Sequence, residues 1–349
     1  MKKSPTAPVY SPLWKKLYSL LQKFVKTEPW VLFENEDVFL VQIPRNNHMY
    51  LCCVMGNGGD EFGLNAYRGA EGIRSFFKMI TKCKNGTLDS EFMYELDMLS
   101  FSLSPRDFME KQDFAVTKNL KLSFSEGKWP LVRRYQPHFF PWFLSEPEIE
   151  DLCDCLEQAL LLYDKGVSAL TLIRNVKPGE ILVRLKENGS WVSHHKEIPP
   201  PMKKDTPKIQ LDDITAQRLR NLPATGFTEE IDLIHLPGAI TDNEPHYFGL
   251  VLLGINEEEL ANQYGLFTPF EDYFQHSCES LVQVFLSRGS KPRKVFLKDD
   301  SPFADQIETV AQQSDIRFER VDKLPMICEF LDSIDKKMYE DHLIDKMKM

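Results

Sequence analysis

The sequence predicts two folded domains. The first is an α+β N-terminal domain, a mostly antiparallel sheet with packed helices. The second is a smaller α/β C-terminal domain with element order αββαβαβα. Three observations predict this. A chain of 349 residues exceeds what one hydrophobic core usually holds. Pro199-Pro200-Pro201, Lys203-Lys204 and Pro207 read as a linker. The hydrophobic pattern also changes across that linker, from paired strands to strands alternating with helices. The expected boundaries are 1–198, a linker at 199–208, and 209–349.

Residues 1–10 show no pattern. Ser11 and Pro12 cap a helix whose Leu13, Leu17, Leu20, Leu21 and Phe24 share a face, with Lys15, Lys16, Lys23 and Lys26 opposite. A basic amphipathic helix can lie on a membrane, but a docking helix with a solvated lysine face accounts for the same pattern. Strands are expected at 37–43 and 49–55, joined by a turn at Pro44–Asn47. After Gly56-Asn57-Gly58-Gly59-Asp60 come a strand at 62–67 and a helix from about Glu71. Residues 97–103 read as a strand, and Pro105 opens a short helix.

From Trp129 to Leu144 aromatic and proline residues dominate. Pro130, Pro137 and Pro141 each fix φ and lack a backbone donor, which predicts an irregular extended arm rather than a helix or central strand. Each of its rings is worth about 1.5–3 kcal/mol if buried, so the arm is expected flat on a core. Phe140 and Trp142 are its candidates for contact with a partner. Ser145, with Glu148 three residues on, forms a capping-box signature, and Ile149, Leu152, Cys153, Leu156, Leu160 and Tyr163 give that helix one apolar face. Gly166 reads as its stop. Residues 180–185 and 190–195 form a hairpin around Asn188-Gly189.

Beyond the linker, Asp212 or Asp213 caps a short helix to Asn221. Strands are expected at 231–236 and 247–253, a helix opened by Pro269 and stopped by Gly289, a strand at 294–297, a helix at 302–314, a strand at 316–321 and a helix at 325–334, with parallel crossovers towards the end.

Three places resemble a two-domain bacterial family of unknown function. The first is the Trp129-Pro130 to Leu144 arm, followed by Leu156-Glu157-Gln158-Ala159-Leu160. The second is Ser11–Tyr18 with Pro29-Trp30. The third is Cys53–Gly59 with Phe62-Gly63-Leu64 and Tyr67-Arg68-Gly69. The resemblance implies a fold and a bacterial origin; it implies no catalytic residues. His138 stands where such sequences usually have glycine.

Charge and composition narrow the function. Residues 1–200 hold 25 Lys+Arg and 25 Asp+Glu, so the net charge of −10 falls wholly on the rest. That disfavours binding along a phosphate backbone, which needs clustered basic charge. No apolar run spans a bilayer and no signal-peptide core opens the chain, which points to a soluble cytoplasmic protein. Seven cysteines, an odd number, do not suggest a disulfide framework, and Cys153-x-Cys155 has no second pair to complete a zinc site.

Two sets of residues are candidates for chemistry or binding. Gly56, Gly58 and Gly59 could cradle a phosphate, but the loop lacks a P-loop lysine and leads into a strand, so a hairpin turn needing positive φ is preferred. Asp232, Asp299, Asp300 and Glu308 could gather at strand ends and hold Mg²⁺ for phosphoryl transfer. The element order there is loosely similar to ribonuclease-H-like catalytic domains. It departs from them in having only two strands before the long helix, in having no fixed spacing from Asp232 to the other acids, and in lacking the basic surface such nucleases use. Asp299–Pro302 is equally an ordinary strand-to-helix turn. His194 and His195 alternate faces, and His276 and Cys278 are two apart on a helix, so neither makes a site by spacing. The favoured reading is an interaction or regulatory protein with a protein partner and no cofactor. The alternative is a divalent-metal-dependent phosphoesterase or nuclease.

Overall fold

The computed structural model describes residues 12–88, 90–125, 127–198, 209–258, 262–270, 272–299, 301 and 303–334. These divide into two compact units, one holding 12–198 with Asn243–His246 and the other 209–242 with 247–334. The expected linker, 199–208, lies outside the described residues.

Unit 1 begins with α1 (Pro12–Thr27), which buries Trp14, Leu17, Tyr18, Leu21 and Phe24. The stripe lies one step round from the expected one, because the two aromatic rings bury more area than Leu13 and Leu20. There follow β1 (Phe39–Gln42), β2 (Met49–Met55), β3 (Gly63–Arg68), α2 (Gly69–Asn85), β4 (Met98–Ser104), α3 (Lys111–Asn119), β5 (Trp129–Tyr135), α4 (Glu146–Tyr163), α5 (Val167–Arg174), β6 (Glu180–Glu187) and β7 (Ser190–Glu197). The strands form one sheet in the order β5-β4-β3-β2-β1-β6-β7. All pairings are antiparallel except β1 with β6. One face packs Phe39, Val41, Cys52 and Val54 against α1 and α4. The other packs Leu40, Leu51, Cys53 and Tyr67 against Ile73 and Phe76 of α2. The two alternating sets on β1 and β2 therefore feed two cores.

Two expectations need correction. The first part of the arm is a regular strand, β5, and not irregular: Pro130 stands opposite Leu103 in its ladder with β4. Because β5 is an edge strand, a missing backbone donor is tolerated there. Gly166 does not simply stop α4. With φ +56° it turns the chain directly into α5, which the sequence reading did not anticipate. The capping box of Ser145 and Glu148 forms as expected: the Ser145 backbone N–H donates to Glu148 Oε2 at 2.9 Å.

Unit 2 runs α6 (Asp213–Arg220), β8 (Thr228–Ile240), β9 (Tyr247–Asn256), β10 (Asn262–Phe267), α7 (Tyr273–Arg288), β11 (Lys294–Lys298), α8 (Ala304–Gln313), β12 (Arg317–Val321) and a last helix over 325–334. The sheet order is β10-β9-β8-β11-β12. The pairings β10–β9 and β9–β8 are antiparallel, whereas β8–β11 and β11–β12 are parallel. Three strands precede the long helix, not the expected two. The helix itself starts at Tyr273 rather than at Pro269, because Asp272 accepts the Gln275 N–H and caps it. On one face Ile231, Leu233, Leu250 and Leu252 pack with Leu281 and Phe285 of α7. On the other, Ile234, Val251 and Leu253 pack with Leu324 and Ile327.

Candidate functional site

The acidic residues of unit 2 fall into two groups. Asp232 sits on β8, almost buried, and its Oδ1 accepts the Ser301 hydroxyl at 2.5 Å and its neighbour Leu233's N–H at 2.9 Å. Ser301 follows the end of β11, so the central strand's aspartate does meet the turn after the adjacent parallel strand. Ser301 Oγ also accepts the Phe303 N–H at 3.3 Å, at the entry to α8. Asp300, the residue before it, lies outside the described residues.

Asp299 and Glu308 belong to the second group, around Arg320 of β12. Arg320 donates from Nε and Nη2 to Glu308 Oε2 at 2.8 and 2.7 Å, and from Nη2 to Asp305 Oδ1 at 2.5 Å. Asp299 Oδ1 is 3.9 Å from its Nη1. Burial works against the guanidinium's charge, but the bonds to Asp305 and Glu308 outweigh it and raise its pKa. The spacing explains the cluster: Asp305 and Glu308 are one helical turn apart, and β11 and β12 are adjacent, so one arginine spans all three acids. Asp299 and Glu308 thus face a cation that the protein supplies, while Asp232 faces a serine. Among the described residues no group of three or more His, Cys, Asp or Glu is arranged to hold a metal ion.

The glycine loop closes the antiparallel hairpin of β2 and β3. Gly56 has φ +130° and Gly59 φ +85°, and the Gly59 N–H donates to the Gly56 carbonyl at 3.1 Å. A Cβ on Gly56 would meet Phe62 and Trp30 at 2.7 and 2.8 Å, so that glycine is required by packing as well as by φ. Gly58 and Gly59 have open space around them.

In the arm, Trp142 pairs with Arg134 of β5 through backbone bonds of 2.7 and 2.9 Å, and its ring meets Phe143 edge-on at 5.5 Å. Trp142 is half-buried, and Phe140 is 39% exposed. His138, at φ +71°, takes the conformation that glycine would take without strain.

Sequence reasoning missed the buried ionic groups. Asp151 of α4 accepts from Arg45 at 2.7 Å, Tyr50 OH at 3.0 Å and Asn46 at 3.2 Å, tying the β1–β2 turn to the helix. Arg133 forks Asp113 at 2.9 and 2.7 Å. In unit 2 the buried Glu229 and Tyr264 meet half-buried Arg288, whose Nη2 donates to Tyr264 OH at 2.6 Å. One signal was available: an Asp at 151 and Arg at 133 on apolar faces demand partners. All seven cysteines are free thiols, and burial pushes the Cys153 thiol up to about 12, as expected of an inert packed side chain.

Residues 14–184 match one domain of unknown function, DUF7309, and residues 215–335 match another, DUF6930. Between them these two models, both of domains of unknown function, match most of the chain. No curated protein and no solved structure matches it. The DUF7309 domain carries the glycine loop, the arm and the Asp151 and Asp113 clusters. The stretch that matches DUF6930 carries the carboxylates of β8, of the turn after β11 and of α8. This two-domain layout agrees with the uncharacterised family that the sequence resembles. Among the described residues no helix is long and apolar enough to cross a membrane.

Proposed function

We propose that this is a bacterial, cytoplasmic interaction or regulatory protein that performs no chemistry and needs no cofactor. The observation that carries the reading is the structural use of the candidate acids. Arg320 draws in Asp299, Asp305 and Glu308, and Asp232 holds the Ser301 hydroxyl. An arginine among three carboxylates supplies the charge that a divalent cation would otherwise supply. The partner is a protein rather than nucleic acid, since the excess acid lies beyond residue 200. The arm offers Phe140, and Trp142 beside it, as the contact surface. The test is turnover of phosphodiester and phosphomonoester substrates with Mg²⁺ or Mn²⁺. No turnover is expected. Turnover lost on Asp232→Asn would overturn the reading.

One observation favours a second reading, a divalent-metal-dependent phosphoesterase or nuclease using Asp232, Asp299, Asp300 and Glu308 with Mg²⁺. The Asp232–Ser301 contact brings β8 to the turn after β11. The third strand, β10, also removes the departure from the ribonuclease-H-like element order. In this reading Glu308 must leave Arg320 to reach a shared cation, so an Arg320→Met variant would gain Mn²⁺ affinity. Unchanged affinity in that variant would count against it.

A further inference from the structure

Of the buried arginines in the N-terminal unit, Arg133 and Arg134 each hold carboxylates, Asp113 for one and Asp97 with Glu148 for the other. Arg184 on β6 does not. It is 4% exposed, and its bonds go to neutral groups: Nε donates to Gln158 Oε1 at 3.1 Å and Nη1 to Ser193 Oγ at 2.6 Å. Among the described residues no carboxylate pairs with it, and its Nη2, which is not sealed from solvent, donates to no protein acceptor. A buried charge without a counter-charge is costly and is rarely left so. Burial alone accounts for the lowered pKa of this guanidinium, with no acid pulling the other way.

A second observation lies beside it. Gln158 of α4 is wholly buried, and its Nε2 has no acceptor. Turning the amide over would set its N–H₂ against the Arg184 Nε–H, so the orientation is fixed by the arginine. The Ser193 hydroxyl already accepts from Nη1, which leaves its own hydrogen to donate. Arg184 and Ser193 are directly opposed in the β6–β7 ladder and so share a sheet face. On that face the next pair along is Lys186, which is exposed, with half-buried Trp191. At the other end His195 Nε2 meets the Leu172 carbonyl at 2.9 Å, closing β7 against α5.

We propose that Arg184, Gln158 and Ser193 form a binding site for an oxyanion group, a carboxylate or a phosphate, on a small molecule that enters past Lys186. The donors are unused guanidinium N–H groups, an amide N–H₂ and a hydroxyl, all suited to an anion's oxygens and none to a cation. The site lies in the N-terminal unit, independent of the carboxylates of the C-terminal one.

The experiment is thermal unfolding of the full chain in sodium phosphate, sodium acetate and sodium chloride at matched ionic strength. Phosphate or acetate at ten times its Kd is expected to raise Tm by about 3 °C or more over chloride. A response to phosphate alone assigns a phosphate ligand, and a response to both assigns a general oxyanion site. In Gln158→Glu the new carboxylate supplies the missing counter-charge. That variant should start at a higher Tm and lose the response. Ser193→Ala removes one donor and should weaken binding about 5-fold to 10-fold by titration. Equal Tm in all three salts, or a Gln158→Glu variant that responds like wild type, would overturn the proposal.

Discussion

Arg133→Met should be among the most damaging single changes in the N-terminal unit. The Arg133 and Asp113 side chains are 6% and 7% exposed, and two parallel bonds of 2.9 and 2.7 Å join them. The guanidinium also lies over the Phe143 ring at 4.6 Å. Removing one partner of such a pair leaves the other charge buried, which costs about 3–5 kcal/mol. Asp113 retains one donor, the Glu110 N–H at 2.8 Å, which places the expected cost near the lower end, about 3 kcal/mol. For a unit of this size that lowers Tm by roughly 6–12 °C. All five tryptophans, Trp14, Trp30, Trp129, Trp142 and Trp191, lie in this unit. Tryptophan fluorescence in urea therefore reads its unfolding alone. In a cycle with Asp113→Asn, the double variant should cost less than the sum of the singles by about 1.5 kcal/mol or more. An Arg133→Met cost under about 1 kcal/mol, or strict additivity, would refute the claim that this pair anchors the edge strand to α3.

Other predictions follow from the same contacts. Gly63→Ala should fail to fold or lose more than about 3 kcal/mol, because its Cβ would stand 1.9 Å from the Phe101 carbonyl oxygen across the β3–β4 ladder; soluble expression and urea midpoints test this. Ser145→Ala should cost about 1 kcal/mol through loss of the cap on α4, read as a shift in urea midpoint at constant slope. Stability should fall as pH rises. Burial pushes the thiols of Cys53, Cys153 and Cys278 up to about 12, and also raises the pKa of Tyr18, Tyr50 and Tyr67. The folded state holds these protons more tightly than the unfolded chain, so their contribution is complete below the unfolded values. It is lost progressively from about pH 8.5 for the thiols and about pH 10 for the phenols. Urea midpoints that stay flat from pH 7.5 to 10.5 would contradict this.

Much of the fold was legible because periodicity was strong where burial is one-sided. The β1–β2 hairpin, the capped α4, the Asn188-Gly189 turn and the parallel β11–α8–β12 end all announce themselves locally. What was not legible depended on partners distant in the chain. Pro130 looks like a strand breaker until β5 is known to be an edge. Gly166 reads as a stop because nothing local says that a second helix starts at once. The β10 strand hides behind Glu257 and Glu258 and carries Gly265 in its middle, so it lacks a clean alternating pattern. The candidate acids were visible as residue types, but their engagement by Arg320 depends on β12 lying beside β11. Arg184 gave no signal in sequence, since it reads as an ordinary polar residue at the end of an apolar strand.

The central claim is that the carboxylates of the C-terminal unit are structural. The most direct measurement is a thermal-shift series on the full chain with and without Mg²⁺ and Mn²⁺, in wild type and Asp300→Ala. No metal-dependent rise is predicted in either protein. A rise of several degrees in wild type that vanishes in Asp300→Ala would contradict the claim and favour the phosphoesterase reading.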